Sequence, residues 1–136
     1  MIELNAGGGK MSVNLKDKVL LIQRERGLYS CMNNTKWNEL RYAMLEEMPF
    51  PPQYVIKSLL SESCRIEDEI LSDSNEFGDW YYFGSTADIE WIKIRPRYKR
   101  RGESAVDASD RLAGLLEKYN IPYERDGAVF TVYGYR

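Results

Sequence analysis

One dipeptide constrains this chain more than any other local feature: Asp126-Gly127, set between IPYER and AVFTVYGY. An Asp-Gly pair favours the two-residue turn whose twist matches that of paired strands. The flanking runs are rich in aromatic and β-branched residues, which suit a pleated, half-buried surface. Residues 121–135 are therefore predicted to form a β-hairpin.

A second β signal lies upstream in WIKIRPRYKRR, Trp91 to Arg101. Ile92, Ile94, Pro96 and Tyr98 alternate with Lys93, Arg95, Arg97 and Lys99. Successive strand side chains point to opposite faces, so one face is apolar and the other a basic ladder. Pro96 has no backbone donor and marks the strand's end or a sheet edge. Between these two β regions, Ser104 and Asp107 resemble a capping box. A helix over 104–119 then follows, with Leu112, Leu115, Leu116 and Tyr119 as its core stripe and Asn120 closing it.

The first half reads differently. Asn14 can cap a helix carrying Leu15, Val19 and Ile22, with Asp17 in its first turn and Gly27 as its stop. Asn34 or Thr35 is expected to cap a second helix with the stripe Trp37, Leu40, Met44, Leu45 and Met48. Pro49, Pro51 and Pro52 end it. QYVIKSLL is read as a strand. Trp80–Phe83 is a further strand candidate, followed by a Gly84-Ser85-Thr86 turn and the more helix-friendly ADIEW. The order α-α-β-(β)-β-α-β-β predicts a single α+β domain over residues 13–136. Its antiparallel sheet should have helices packed on one face. Residues 1–12, with their Gly7-Gly8-Gly9, are expected to be a flexible lead-in, with Met11 an alternative start.

Composition narrows the chemistry. The 136 residues include no histidine, which removes the commonest general base and metal ligand. Cys31 and Cys64 form no metal-binding spacing and have no histidine to activate them. Both are expected to be reduced. Glu67, Asp68 and Glu69 are consecutive, so on a helix they fan outward instead of converging. DSDSNEFGDW misses the calcium-loop pattern in its glycine and its end. No GxSxG elbow occurs, and Gly7–Lys10 lacks the spacing and the following Ser/Thr of a phosphate loop. No catalytic residue, metal or cofactor is assigned. The N-terminus lacks a secretory pattern, and no apolar run approaches the roughly 20 residues of a membrane span. A cytoplasmic protein is expected.

Charge is strongly sorted. Trp91–Arg101 carries six positive charges while the chain as a whole has a net charge of −2, so everything else sums to −8. Residues 62–79 hold seven acidic residues against Arg65 alone. The expected partner-binding residues are Glu67, Asp68, Glu69, Asp73 and Asp79 for electrostatics, with Trp80, Tyr81 and Tyr82 as aromatic anchors. For Trp80 the competing expectation is a place in the core. The alternative is nucleic-acid binding through Lys93, Arg95, Arg97, Lys99, Arg100 and Arg101, with Trp91 and Tyr98 stacking on bases. An overall pI near 5.3 weighs against it. Two structural readings of the ladder compete with it: an edge strand protected by charge, and pairing with the acidic 62–79 segment.

MNNTKW at 32–37, PFPP at 49–52, IEWIKIRPR at 89–97 and IPYERDGAVFTVYGY at 121–135 form a set. Together they resemble an uncharacterised family of small bacterial proteins, a domain of unknown function, over roughly residues 14–136. The resemblance carries no established activity, so it implies no catalytic residue. Such families include many stand-alone immunity proteins of bacterial toxin systems. The resulting expectation is a binding protein that neutralises a basic toxin domain.

Overall fold

A computed structural model describes residues 14–61 and 76–136. Helix α1, Leu15–Arg26, starts where the Asn14 side chain accepts a hydrogen bond from the Asp17 amide at 2.9 Å. It stops at Gly27, whose φ of 65° suits glycine. Helix α2, Asn34–Tyr42, is capped by Asn33, whose side chain accepts from the Lys36 amide at 2.8 Å. The cap thus falls one residue before the expected Asn34 or Thr35. The helix widens into a π-helical turn, Ala43–Glu47, before the proline corner. Helix α3, Ser109–Lys118, buries Leu112, Leu115 and Leu116.

Four strands form an antiparallel sheet in the order β1-β2-β6-β5: β1 Gln53–Ser58, β2 Ile89–Arg95, β6 Val129–Tyr133 and β5 Glu124–Asp126. β5 and β6 form the expected hairpin, but its turn is shifted by one residue. Asp126 is the last residue of β5, paired with Val129, and the two-residue loop is Gly127-Ala128. Gly127 adopts a φ of 61° because the first loop position needs a positive φ. The register aligns Tyr54, Ile94 and Phe130 across the sheet, and Ile56, Ile92 and Val132 beside them. That face meets Trp37, Leu40 and Met44 from α2 and its π turn, and Leu112, Leu115 and Leu116 from α3, in one core. The fold is therefore α+β, with these two helices on one face. The same register puts Val55, Lys93 and Thr131 on the opposite face, with Lys57, Trp91 and Tyr133.

A register shift near Lys57 and Ser58 leaves Glu90 outside the β1–β2 pairing. The Glu90 carbonyl accepts from the Gly134 and Tyr135 amides at 2.8 and 3.1 Å. Its carboxylate receives both Arg26 guanidinium nitrogens at 2.9 and 3.0 Å and the Lys57 ammonium at 2.7 Å. This bulge therefore anchors the end of α1 to the sheet.

Several sequence expectations are corrected. β2 lies between β1 and β6, so the basic ladder is not a charge-protected edge; the sheet's edges are β1 and β5. Pro96 ends β2, and the chain leaves the sheet to form a small ribbon, β3 Arg97–Tyr98 with β4 Val106–Asp107. Ser104 caps nothing. The helix begins five residues later, because Asp107 accepts the Ser109 amide at 2.8 Å and the Pro96 carbonyl takes the Ala108 amide at 2.8 Å. Trp80–Phe83 is a turn, not a strand, and residues 89–91 of ADIEW belong to β2. Trp80 is wholly buried, so as placed it is a core residue and not a surface anchor. The lead-in at 1–12 lies outside the described residues, as does Cys64.

Candidate functional site: an aromatic turn on a fixed backbone

The sharpest surface feature is the turn at Asp79–Phe83. Its inner residues are fixed first. Gly78 lies against the proline corner, where its amide donates to the Pro51 carbonyl at 3.1 Å. A Cβ there would fall 2.0 Å from the Pro52 carbonyl oxygen, so only glycine fits this approach. Trp80 then enters the core, and its indole Nε1 donates to the Pro52 carbonyl at 2.8 Å. A buried indole needs such a partner. Its ring stacks on Phe83 with centroids 5.0 Å apart, and Tyr54 packs against it at 4.6 Å.

The turn backbone is held by side chains from the body. Tyr54 donates its hydroxyl to the Asp79 carbonyl at 2.7 Å. Arg41 on α2 donates Nε to the Trp80 carbonyl at 2.7 Å and Nη2 to the Tyr81 carbonyl at 2.8 Å. Three successive carbonyls are thus engaged. The Asp79 side chain accepts the Tyr82 amide at 3.2 Å, closing the turn from within. Burial raises the Tyr54 phenol above its ordinary pKa, and the nearby Asp79 carboxylate adds to this. The hydroxyl therefore stays protonated and able to donate.

With Trp80 and Phe83 pointing inward, Tyr81 and Tyr82 point out. They are 70% and 85% exposed. Asp79 and Glu76 are exposed nearby in the chain. Of the expected partner-binding residues, Asp79, Tyr81 and Tyr82 share this turn, whereas Trp80 supports it from below. Glu67, Asp68, Glu69 and Asp73 lie outside the described residues. Arg41 and Tyr54 gave no signal in the sequence: their partners are 39, 40 and 25 residues away, and neither sits in a motif.

The basic run does not form one surface. Lys93 and Arg95 are half-buried on the sheet, and Lys93 lies over the Trp91 ring at 4.8 Å. Arg97 pairs with Asp107 at 3.3 Å. Beyond the ribbon, Lys99, Arg100 and Arg101 are exposed. Tyr98 is not open for base stacking, because its ring packs edge-on against Phe50 and Phe77 at 4.6 and 5.2 Å. The pairing of the ladder with the acidic segment cannot be followed through residues 62–75, which lie outside the described residues.

An open cleft of about 530 Å³ runs between Glu47, Met48, Pro49, Val106, Asp107 and the start of α3. Two of its three carboxylates, Glu47 and Asp107, are firmly engaged, and the third, Asp110, lies exposed 3.9 Å from Arg125. Glu47 accepts from Lys118 at 2.6 Å and from the Tyr119 hydroxyl, and these bonds hold it below the ordinary carboxylate range. Asp107 pairs with Arg97 and caps α3. Among the described residues no cluster of three or more Cys, Asp or Glu could hold a metal ion, and no helix is long and apolar enough to cross a membrane.

Residues 19–136 match the model of a family of unknown function (DUF6678), in keeping with the resemblance carried by the four sequence motifs. No curated protein and no solved structure matches the chain.

Proposed function

The chain belongs to DUF6678, a family of unknown function, and from its own surface we propose that it is a cytosolic protein-binding module, an immunity protein that neutralises a cognate bacterial toxin. The observation that carries the proposal is the Tyr81–Tyr82 pair, exposed on a turn whose carbonyls at 79, 80 and 81 are all engaged by the body. Tyrosine supplies a large contact area with few rotatable bonds, and interface energy concentrates in such aromatic residues. A backbone ordered before binding loses little entropy on docking. The acidic 62–79 stretch, with a net charge of −6 from seven acids and one arginine, favours a basic partner and rapid encounter. In this role the protein needs no cofactor.

The reading requires a toxin domain encoded beside this gene, and the test is to look for one and co-express it with this chain. The wild type should bind that domain and relieve its toxicity, and Tyr81→Ala with Tyr82→Ala should relieve it much less. A double variant that protects as well as the wild type removes the turn from the mechanism. A neighbouring domain that neither binds nor is relieved removes the immunity reading.

A second reading is favoured by one observation, the exposure of Lys99, Arg100 and Arg101 on the ribbon loop. These three cations suit a short phosphate backbone. Each neutralised phosphate contributes roughly 0.7–0.9 to the salt slope, so three predict a log–log slope of about −2 to −3. Absence of oligonucleotide binding at low salt eliminates this reading.

A further inference from the structure

We propose that the Tyr81–Tyr82 turn is a receptor for arginine side chains, and that the basic partner is held there by guanidinium groups in particular. This rests on the protein-binding reading above and names the chemistry that the turn selects. The rest of the molecule repeatedly places a cation over an aromatic ring: Lys93 over Trp91 at 4.8 Å, Lys118 over Tyr119 at 5.1 Å, Arg125 over Phe130 at 4.9 Å and Arg136 over Tyr133 at 4.4 Å. Tyr81 and Tyr82 have no such cation among the described residues, although they are the more exposed rings. Arg41 reaches the backbone of this turn without covering either ring. It directs Nε and Nη2 to backbone carbonyls beneath the turn instead. Among the described residues no cation covers these two exposed rings.

The local charge agrees in sign. Asp79 and Glu76 are exposed a few residues from the two rings. A guanidinium is planar and weakly hydrated, so it stacks on a phenol ring while its edge reaches a carboxylate. An ammonium keeps its water more firmly and has no plane to stack. Charge alone would attract both equally. Rings in this molecule hold lysine as well as arginine, and it is the stacking plane and weaker hydration of the guanidinium that give it the stronger contact.

The experiment uses the full chain and two probes, a deca-arginine and a deca-lysine peptide, with binding followed by calorimetry at low and physiological salt. The wild type should bind deca-arginine about two- to fivefold more tightly than deca-lysine, an upper ratio set by the roughly 0.5–1 kcal/mol of one whole exposed cation–π contact. Tyr81→Leu with Tyr82→Leu should abolish the preference and leave the weaker, charge-driven binding of both peptides. Tyr81→Phe with Tyr82→Phe should retain it, because the ring face survives. Melting curves on both variants confirm that the exposed substitutions leave the fold intact. Equal binding of the two peptides by the wild type overturns the arginine inference and leaves the acidic-surface reading standing. A preference that persists in the leucine variant also overturns it, since the selective surface would then lie elsewhere. Binding of neither peptide overturns this inference and removes the electrostatic support for the proposed partner as well.

Discussion

At the scale of single residues, Trp80 and Tyr82 are two positions apart and have opposite roles. Trp80 is wholly buried, stacked on Phe83 and hydrogen-bonded to Pro52. Its replacement by alanine removes a large ring from a close-packed core and should cost about 3–5 kcal/mol. Tyr82→Ala strips only solvent-facing surface and should change stability by less than about 0.5 kcal/mol. Chemical denaturation of both variants measures the contrast, and similar midpoints would contradict the assigned orientation of the turn. Gly134 is a third informative position. A Cβ there would sit 2.0 Å from the Ile89 carbonyl oxygen and 3.1 Å from the Trp37 ring. Gly134→Ala must push two backbones apart and should destabilise the protein by at least about 1–3 kcal/mol. A melting temperature equal to the wild type would show that the sheet yields there easily.

At the scale of elements, what was legible in the sequence was what depends on neighbours in the chain. Asp126-Gly127 locates the β5–β6 hairpin, though one residue early, since Asp126 pairs with Val129 and the loop is Gly127-Ala128; β1 follows from the run after the prolines. α3's stripe of Leu112, Leu115 and Leu116 faces inward as its spacing requires. The failures come from distant partners. Trp80–Phe83 has the composition of a strand, but its burial pattern, inward at 80 and 83 and outward at 81 and 82, is that of a turn. That pattern is set by the Pro52 carbonyl and by Arg41, which no local window contains. α3 starts at Ser109 and not near Ser104 because Pro96 and Asp107 capture the intervening backbone. The same dependence governs the candidate site: Tyr81 and Tyr82 could be picked out by type, whereas the side chains that hold them could not. Glu90 adds a pH-sensitive element contact. The Arg26 guanidinium holds its carboxyl below the ordinary range, burial opposes this, and Lys57 assists Arg26. A carboxyl with a depressed folded pKa contributes stability above its unfolded value, and the contribution is lost as pH falls through the lower folded one. Acidification below the usual glutamate range should therefore loosen α1. Hydrogen exchange at 15–26 across a pH series measures this, and Glu90→Gln should remove the acid-dependent step. Equal acid sensitivity in that variant would mean that another carboxylate controls α1.

At the scale of the whole molecule, the organising fact is charge separation along a chain of nearly balanced composition. Residues 62–79 sum to −6 and residues 91–101 to +6, against −2 for the entire chain. The fold does not spread the second block evenly. It seats Lys93 on Trp91, pairs Arg97 with Asp107 and leaves Lys99, Arg100 and Arg101 exposed in the loop between β3 and β4. The acidic block leads directly into the Tyr81–Tyr82 turn. On the proposed reading, a basic partner is attracted by this block, of which Glu76 and Asp79 are exposed close to the turn in the chain. Steering and anchoring predict different kinetics. Reversing Glu67, Asp68 and Glu69 to lysine changes the block from −6 to 0, since each reversal shifts the charge by two. Association with a basic partner should slow about tenfold or more at low salt, with dissociation little altered. The difference should shrink as salt rises, because the Debye length falls to roughly 8 Å at physiological ionic strength. Tyr81→Ala with Tyr82→Ala should give the converse, near-normal association and faster dissociation. Stopped-flow measurements across a salt series separate the two effects. If the charge-reversed protein associates at the wild-type rate in low salt, the acidic block does not steer, and the turn would have to find its partner without it.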